Sequence, residues 1–95
     1  MENQHRKIKG YRELSQTEID LMNQIKTKGV ELQHLFDQES AHINIQIIDA
    51  TNAGNNEELN RIDNAEPRRW LSIARTHFQE GSMAATRAIA QPEFF

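Results

Sequence analysis

Residues 15–50, SQTEIDLMNQIKTKGVELQHLFDQESAHINIQIIDA, decide the fold because they combine a helix start signal with a long apolar stripe. Ser15 and Glu18 have the spacing of a capping box, in which each side chain bonds the other residue's backbone N–H, so a helix is predicted to begin near Ser15. Apolar or small residues then recur every seven positions, a pattern typical of helices packed side by side. They are Met22, Gly29, Phe36, Ile43 and Ala50. We predict a first long helix over residues 15–50, on the order of 50 Å in length.

The rest of the chain predicts a second helix that returns alongside the first. Residues 51–64 begin with the loop composition TNAGNN and hold a short helical piece from Glu57 to Ile62. Asn64 is expected to cap a last helix over residues 65–90, whose first turn tolerates Pro67. The sequence therefore indicates a long helical hairpin.

Composition limits how much a single chain can bury. The chain has 95 residues, of which 37% are hydrophobic, and its mean hydropathy is -0.77. It has no cysteine, so no disulfide can reinforce a small core. A lone hairpin also leaves an apolar side on each helix. We therefore expect one all-α domain, residues 1–95 with a basic N-terminal arm at 1–14, assembled into a compact homo-oligomer. The alternative is an intramolecular bundle that uses the middle segment as a third helix.

Two glycines lie within the predicted helices. Glycine inside a helix costs about 1 kcal/mol relative to alanine, so each position should have a structural reason. We expect another backbone to approach Gly29 closely, and Gly81 to face the seam between helices.

The charges are unevenly spread, although the formal net charge is only -3. Lys and Arg dominate residues 1–12 and 67–95, whereas Asp and Glu dominate residues 13–66. An acidic middle between two basic ends argues against the coating of a DNA or RNA duplex, which favours one continuous basic stripe. It suits a compact anion better, and a mixed solvated surface is the alternative.

Motifs for catalysis or metal binding are absent from the sequence. It has no Walker-type phosphate loop, no GxGxxG, no cysteine cluster and no HExxH. Its histidines lack carboxylate-rich surroundings, and the adjacent Glu57 and Glu58 are interpreted as solvated. No apolar run approaches the roughly 20 residues of a membrane span. We expect a soluble intracellular protein with no metal, no cofactor and no catalytic residue.

The segment from Lys9 to Arg12 is the first candidate for ligand binding. Gly10 would let backbone N–H groups approach an anion closely, and the start of the following helix adds positive potential. Tyr11 offers a ring on which a nucleobase can stack, worth roughly 1–3 kcal/mol. Cations, a glycine and an aromatic ring together suit a nucleotide. The equally open alternative is an arm that fastens Tyr11 onto a neighbouring helix.

Cations on the helices are further candidates. Lys26 lies beside the apolar stripe, so its side chain could extend from an interface to a ligand held between subunits. Three arginines line the start of the last helix and would converge around an anion in a symmetric oligomer. They are Arg68, Arg69 and Arg75. Thr86 and Arg87 could supply a hydroxyl and a charge to a phosphate, and ordinary solvated side chains are the alternative throughout.

Two stretches taken together resemble a known family. Residues 7–29, KIKGYRELSQTEIDLMNQIKTKG, carry a K-G-Y-R-x-L-S start with a downstream lysine. Residues 68–95, RRWLSIARTHFQEGSMAATRAIAQPEFF, carry an R-W…A-R-T-x-F-Q-x-G-x-M-A…R-A-x-A-x-P end. They resemble the phage anti-CBASS proteins that act as cyclic-oligonucleotide sponges, the second anti-CBASS family, with its helical-hairpin domain. CBASS is the cyclic-oligonucleotide-based antiphage signalling system of bacteria, and the middle of the chain, 38–64, is not matched.

The resemblance implies a fold, a ligand and a mode of action. The family forms compact hexamers of helical subunits and binds cyclic dinucleotides such as cGAMP in pockets made jointly by neighbouring subunits. It can also hold cyclic trinucleotides at separate sites nearer the threefold axis. The ligand is sequestered and not cleaved, so the toxic CBASS effector is never activated. The protein would act in the host bacterial cytoplasm.

By position, the resemblance also implies roles for particular residues. Tyr11 matches the base-stacking aromatic of the dinucleotide pocket, and Lys26 matches its phosphate-contacting lysine. Gly10 would allow the arm to fold over the ligand. The trinucleotide site is expected to use an arginine at the head of the last helix, and both Arg68 and Arg69 are candidates.

Thr86 and Arg87 are weaker candidates for the dinucleotide pocket.

Other classes of protein stay open. One is a small helical structural or adaptor protein whose basic arm docks an acidic partner. It could lose Tyr11 or Lys26 with little effect, whereas a sponge needs both in one cleft. A single-strand nucleic-acid binder would show strong salt dependence. A cyclic-nucleotide hydrolase finds no base, metal site or nucleophile in the sequence.

Overall fold

The computed structural model describes residues 13–93, which form three α-helices and, within that range, no strand. The helices are α1 (Gln16–Asn52), α2 (Asn56–Ala65) and α3 (Pro67–Ala90). α1 and α3 lie side by side as an antiparallel hairpin, and α2 packs on α1 at the closed end, where the chain turns back. The overall dimensions are 68 × 23 × 17 Å. The predicted all-α helical hairpin is confirmed, and none of its helices has an apolar stretch long enough to cross a membrane.

The predicted capping box holds the start of α1. The Glu18 backbone N–H donates to Ser15 Oγ at 3.2 Å, and the Ser15 N–H donates to Glu18 Oε1 at 2.8 Å. These bonds satisfy N–H groups that the start of a helix would otherwise leave without a partner. The helix continues to Asn52, slightly beyond the predicted end. A turn follows at Gly54, whose φ of 63° is left-handed and suits glycine.

The junction between α2 and α3 differs from the sequence prediction. Asn64, expected to cap the last helix, lies in the last turn of α2, so that prediction is wrong. Glu66 alone separates the two helices and adopts a left-handed conformation (φ 50°, ψ 52°) without a side-chain cap bond. The break falls there because the ring of Pro67 disfavours a helical conformation in the residue before it. The asparagine that does cap is Asn55, whose Oδ1 accepts the Glu58 N–H at 3.1 Å.

The buried core lies at the closed end of the hairpin, where all three helices meet. Four apolar residues there are at most 6% exposed. They are Ile43, Ala50, Ile62 and Leu71. Toward the open end, the rings of Phe36 and Phe78 continue the contact between α1 and α3, with their centroids 5.5 Å apart. Because α2 has only 10 residues, it covers the closed end and leaves the rest of the hairpin two helices thick.

Large apolar side chains remain exposed along the whole hairpin, the closed end included, with exposed fractions of 44% to 72%. They are Leu21, Val30, Leu35, Ile45, Ile48, Trp70, Phe78 and Met83. Isolated apolar side chains on a surface are ordinary, but this number on so small a core indicates surface that a partner could cover. A single chain therefore buries little, as its composition predicted.

Polar bonds across the hairpin fix the register of α1 against α3. Arg75 Nη2 donates to Asp37 Oδ1 at 2.9 Å, and Arg68 Nη2 donates to Asn44 Oδ1 at 2.6 Å. The Arg75 guanidinium also lies 5.6 Å from the centroid of the Phe36 ring, a cation–π geometry. Each step of seven residues along α1 is matched by a step of seven in the opposite direction along α3, which defines the antiparallel register.

The two helical glycines have surroundings different from those predicted. A Cβ added at Gly29 would lie 3.9 Å from Ser82 Oγ, which is an ordinary van der Waals contact with a side chain. A Cβ added at Gly81 would meet nothing within 4 Å. Within one chain, Gly29 thus meets a side chain and no backbone from another helix, and Gly81 lines a groove between α1 and α3. Whether another subunit approaches either glycine stays a prediction.

Replacement of a core isoleucine should destabilise the hairpin far more than replacement of an exposed one. Ile43→Ala removes a side chain that is 5% exposed, and we expect it to lower the free energy of unfolding by about 2–5 kcal/mol. Ile45→Ala is the matched control, since Ile45 lies on the same helix but is 55% exposed, and we expect a loss below about 1 kcal/mol. Urea denaturation followed by circular dichroism measures both. Equal losses at the two positions would contradict this pattern of burial.

Candidate ligand-binding site

A groove lies between α1 and α3 on one side of the hairpin and is here called the Lys26 groove. It contains three of the predicted ligand-binding residues, Lys26, Thr86 and Arg87. Its outer half, toward the open end, has a volume of about 640 Å³ and is lined by Met22, Lys26, Met83, Thr86, Arg87 and Pro92 among others. Its inner half, toward the closed end, has a volume of about 360 Å³ and is lined by Gln33, Phe36, Arg75, Phe78 and Gln79 among others. The halves are contiguous because both are lined by Lys26, Gly29, Ser82 and Met83. Each half has the volume of a small-molecule site.

Lys26 is the distinctive cation of this groove because nothing in the described part of the chain neutralises it. It forms neither an ion pair nor a hydrogen bond within residues 13–93, whereas every other Lys or Arg in that range has a bonded or electrostatic partner. Lys28, two positions away, pairs with Glu31 at 3.4 Å. An exposed, unpaired ammonium beside apolar surface is ready to accept an anion without first breaking another contact.

Three of the residues predicted from the sequence come together here. Thr86 and Arg87, contributed by α3, line the outer half of the groove with Lys26 from α1. They meet because α3 runs antiparallel to α1, which brings the end of one helix beside the start of the other. Gly10 and Tyr11, predicted for the same pocket, lie outside the described residues.

The two remaining candidates, Arg68 and Arg69, lie near the other end of the hairpin. They line a cleft of about 570 Å³ around the α2–α3 junction, here called the junction cleft, together with Ile47, Ile62, Asp63, Asn64, Glu66 and Pro67. Arg68 is held by its short bond to Asn44, whereas Arg69 makes only a 3.5 Å contact with Glu66 and lies 5.2 Å from the Trp70 ring centroid. The structure therefore separates these arginines from the Lys26 groove.

Some lining residues of the Lys26 groove were missed by sequence reasoning. Gln33, Gln79 and Met83 line it. Gln79 and Met83 belong to the motif that carries the family resemblance, but no role was predicted for them, and Gln33 belongs to no motif. The available signal was spacing, since Gln33 follows Lys26 by seven residues and Gln79 precedes Thr86 by seven. Arg75, predicted to face an anion, is instead engaged by Asp37 at the inner end of the groove.

A second groove, on the opposite side of the hairpin, has a different character. This Gly81 groove has a volume of about 900 Å³ and is lined largely by apolar and small residues. They include Leu21, Ile25, Leu32, Phe78, Gly81 and Ala85. Its one lysine, Lys28, is already paired with Glu31. The chemistry of this groove suits an apolar partner more than an anion.

The described residues show binding surfaces more clearly than reactive groups. Within residues 13–93 no group of three His, Asp or Glu side chains is arranged to hold a metal ion. Glu58, interpreted as solvated, is half-buried and accepts hydrogen bonds from Arg61, which hold the pKa of its carboxyl below the usual value. This pair lies on α2, away from the Lys26 groove.

These observations define a small all-α protein, an elongated helical hairpin with a lysine between its two long helices that has no partner within residues 13–93. Comparison with known families makes the assignment specific. The model of the Acb2/Tad1 hairpin domain matches residues 3–90, so the chain belongs to the Acb2/Tad1 hairpin-domain family. The resemblance found in the sequence is confirmed, and the matched span contains every candidate site residue, including Gly10 and Tyr11.

A relative of known name is similar over nearly the whole chain. Anti-CBASS protein 2 of Pseudomonas phage JBD67 is 44% identical over an alignment of 106 residues, which covers 98% of this chain and 98% of that protein. The middle segment that sequence reasoning could not match to the family is thus included in the alignment.

Proposed function

We propose that this chain is a phage anti-defence protein that binds cyclic di- and trinucleotide second messengers, sequesters them without cleavage and so blocks activation of the CBASS effector. Membership of the Acb2/Tad1 hairpin family and the similarity to Anti-CBASS protein 2 support the role against CBASS. One structural observation supports the binding step. Lys26 has no partner within residues 13–93 and lies in a groove with the volume of a small-molecule site.

The chemistry of the Lys26 groove suits a cyclic dinucleotide, which is a compact ring with two phosphates and two bases. One phosphate would contact the Lys26 ammonium, and the Thr86 hydroxyl and Arg87 guanidinium line the same outer half. In this proposal Gly10 lets the N-terminal arm approach the ligand and Tyr11 stacks on a base. Both belong to the span that matches the family.

Assembly into a homo-oligomer, in our proposal a hexamer, would complete these pockets. The exposed apolar side chains and the Gly81 groove give the chain surface that another subunit could bury. A ligand held between subunits is removed from water more fully than one in an open groove, which favours the tight binding that sequestration requires. The proposed site of action is the cytoplasm of the host bacterium.

The junction cleft is the proposed site for a cyclic trinucleotide. It brings Arg68 and Arg69 together beside the start of α3, so a phosphate there would meet a guanidinium. Arg69 is the freer of the two, because Arg68 is already hydrogen-bonded across the hairpin to Asn44. We therefore assign the ligand contact to Arg69 and a structural role to Arg68.

Calorimetry with cGAMP, followed by recovery of the ligand, tests the proposed function as a whole. We expect saturable binding, and we expect chromatography after heat denaturation of the complex to return cGAMP intact. Linear pGpA is the control, and it should bind more weakly because it lacks the closed ring. Recovery of linear products would show hydrolysis. Absence of binding to any cyclic di- or trinucleotide would favour the adaptor class, in which the basic arm docks an acidic partner.

Exchange of the unpaired lysine tests the groove. Lys26→Met keeps the length of the side chain and the helix propensity but removes the charge, so we expect the affinity for cGAMP to fall roughly 10- to 100-fold, as for loss of a hydrogen bond to a charged group. Lys28→Met is the matched control, since Lys28 is paired with Glu31 and lines the opposite groove. Equal losses for the two variants would place the ligand elsewhere.

Separate alanine variants of the two junction arginines test the second site. We expect Arg69→Ala to weaken binding of cyclic tri-AMP by roughly tenfold or more and to leave cGAMP binding unchanged. Arg68→Ala should leave binding of cyclic tri-AMP largely unchanged and lower the melting temperature only slightly, because the bond to Asn44 that it removes is exposed. Trinucleotide affinity retained in the Arg69 variant but lost in a folded Arg68 variant would reverse the assignment.

A further inference from the structure

The register of the hairpin places four polar pairs in a ladder along the side that carries the Lys26 groove. The α1 members are at positions 26, 33, 37 and 44, and the α3 members are at positions 86, 79, 75 and 68. Two of these pairs, Asp37–Arg75 and Asn44–Arg68, are joined by hydrogen bonds of 2.9 and 2.6 Å. Because the intervals between members are the same on both helices, the register that these bonds fix also sets Gln33 level with Gln79.

The polar pairs differ in whether their members bond to each other. The two nearest the closed end bond across the hairpin, whereas Gln33 and Gln79 form no hydrogen bond within residues 13–93, either with each other or with another residue. Two amides have complementary donors and acceptors and could pair in the same way. Both instead line the inner half of the Lys26 groove, and both are exposed. Their amide groups are therefore available to something that enters that half.

Apart from Lys26, which lies where it joins the outer half, the inner half of the groove is close to electrically neutral. Its one arginine, Arg75, is bonded to Asp37 and lies against the ring of Phe36, so its charge is already compensated. The uncompensated charge is that of Lys26, where the two halves join. A phosphate is thus favoured beside Lys26, and the remainder of the inner half favours an uncharged group.

The walls of the inner half have the chemistry of a base site. Phe78 and Met83 are half or more exposed beside it and offer apolar surface against which a planar ring can lie. Lys26 and Gln33 are seven residues apart, about 10 Å along the helix. A nucleotide covers that distance from its phosphate to the far edge of its base.

We propose that Gln33 and Gln79 read the edge of one base of the bound cyclic dinucleotide and give the site a preference for adenine, an inference that rests on the proposed function. A glutamine amide carries a donor and an acceptor side by side, which matches the N6 donor and the N7 acceptor on the Hoogsteen edge of adenine, the edge that we propose is read. Guanine presents two acceptors, N7 and O6, on the corresponding edge and would leave an amide oxygen opposed by another oxygen.

The test is calorimetry with rings that differ only in their bases: cyclic di-AMP, cGAMP and cyclic di-GMP. We expect the unaltered protein to bind the two adenine-containing rings at least roughly tenfold more tightly than cyclic di-GMP. Gln33→Leu and Gln79→Leu, which keep the size of the side chain, should each lose most of this preference. Gln38→Leu is the matched control, because Gln38 is exposed on α1 but lines neither groove.

The outcomes separate this inference from the proposed function. If the unaltered protein binds all three rings equally, or if the Gln33 and Gln79 variants keep the preference of the Gln38 control, base reading by these amides is overturned and the sponge stands. If the protein binds none of the rings, both base reading and the proposed binding of cyclic dinucleotides are contradicted. A measurement on the unaltered protein avoids dependence on the folding of the variants: the side-chain amide NMR signals of Gln33 and Gln79 should shift with cyclic di-AMP. Unchanged signals at saturation would also overturn the inference.

Discussion

The antiparallel register of α1 against α3 is the constraint on which the candidate sites depend. A shift of one residue along either helix rotates its side chains by about 100°, which would move Lys26 out of its groove and separate it from Thr86 and Arg87. The register is fixed at the closed end, where Pro67 breaks the helix at Glu66 and the buried residues of all three helices meet. The bonds from Arg75 and Arg68 then align the two long helices. These exposed polar contacts add little stability, so the apolar core holds the hairpin and the polar pairs select its alignment.

The fold was largely predictable because its signals are local. The capping box of Ser15 and Glu18 predicts the start of α1, and the seven-residue spacing from Met22 to Ala50 predicts the side of α1 that packs against the other helices. The α2–α3 junction was less predictable, since Asn64 and Pro67 both suggest a helix start and only the steric effect of the proline decides between them. The surroundings of the helical glycines were not predictable for a related reason, because the distance between two helices is a tertiary property that composition does not contain.

The site was predictable only where a residue carries its own chemistry. Lys26 could be singled out because it lies beside the apolar stripe and matches the phosphate-contacting lysine of the family it resembles, and the structure adds that it is unpaired within residues 13–93. Gln33 has no such signature, and Gln79 is part of a family motif that assigns it no role. Their proposed role appears only once the register, fixed by the bonded pairs Asp37–Arg75 and Asn44–Arg68, sets them level. Residues whose role depends on a partner across the hairpin are therefore the ones that sequence reasoning misses.

The distribution of charge along the described helices agrees with the proposal that the ligand is a small ring and not a nucleic acid strand. Along the hairpin, the lysines and arginines of the described helices are mostly compensated by carboxylates or held by other side chains, so no continuous basic stripe remains to follow a phosphate backbone. What remains is a single uncompensated cation in the Lys26 groove, with a neutral, partly apolar recess on its inner side. A ligand that gains from this arrangement must present its phosphate and its base within about 10 Å of each other and must end there. A cyclic dinucleotide has that form, whereas a linear polymer would continue onto a surface that does not attract it.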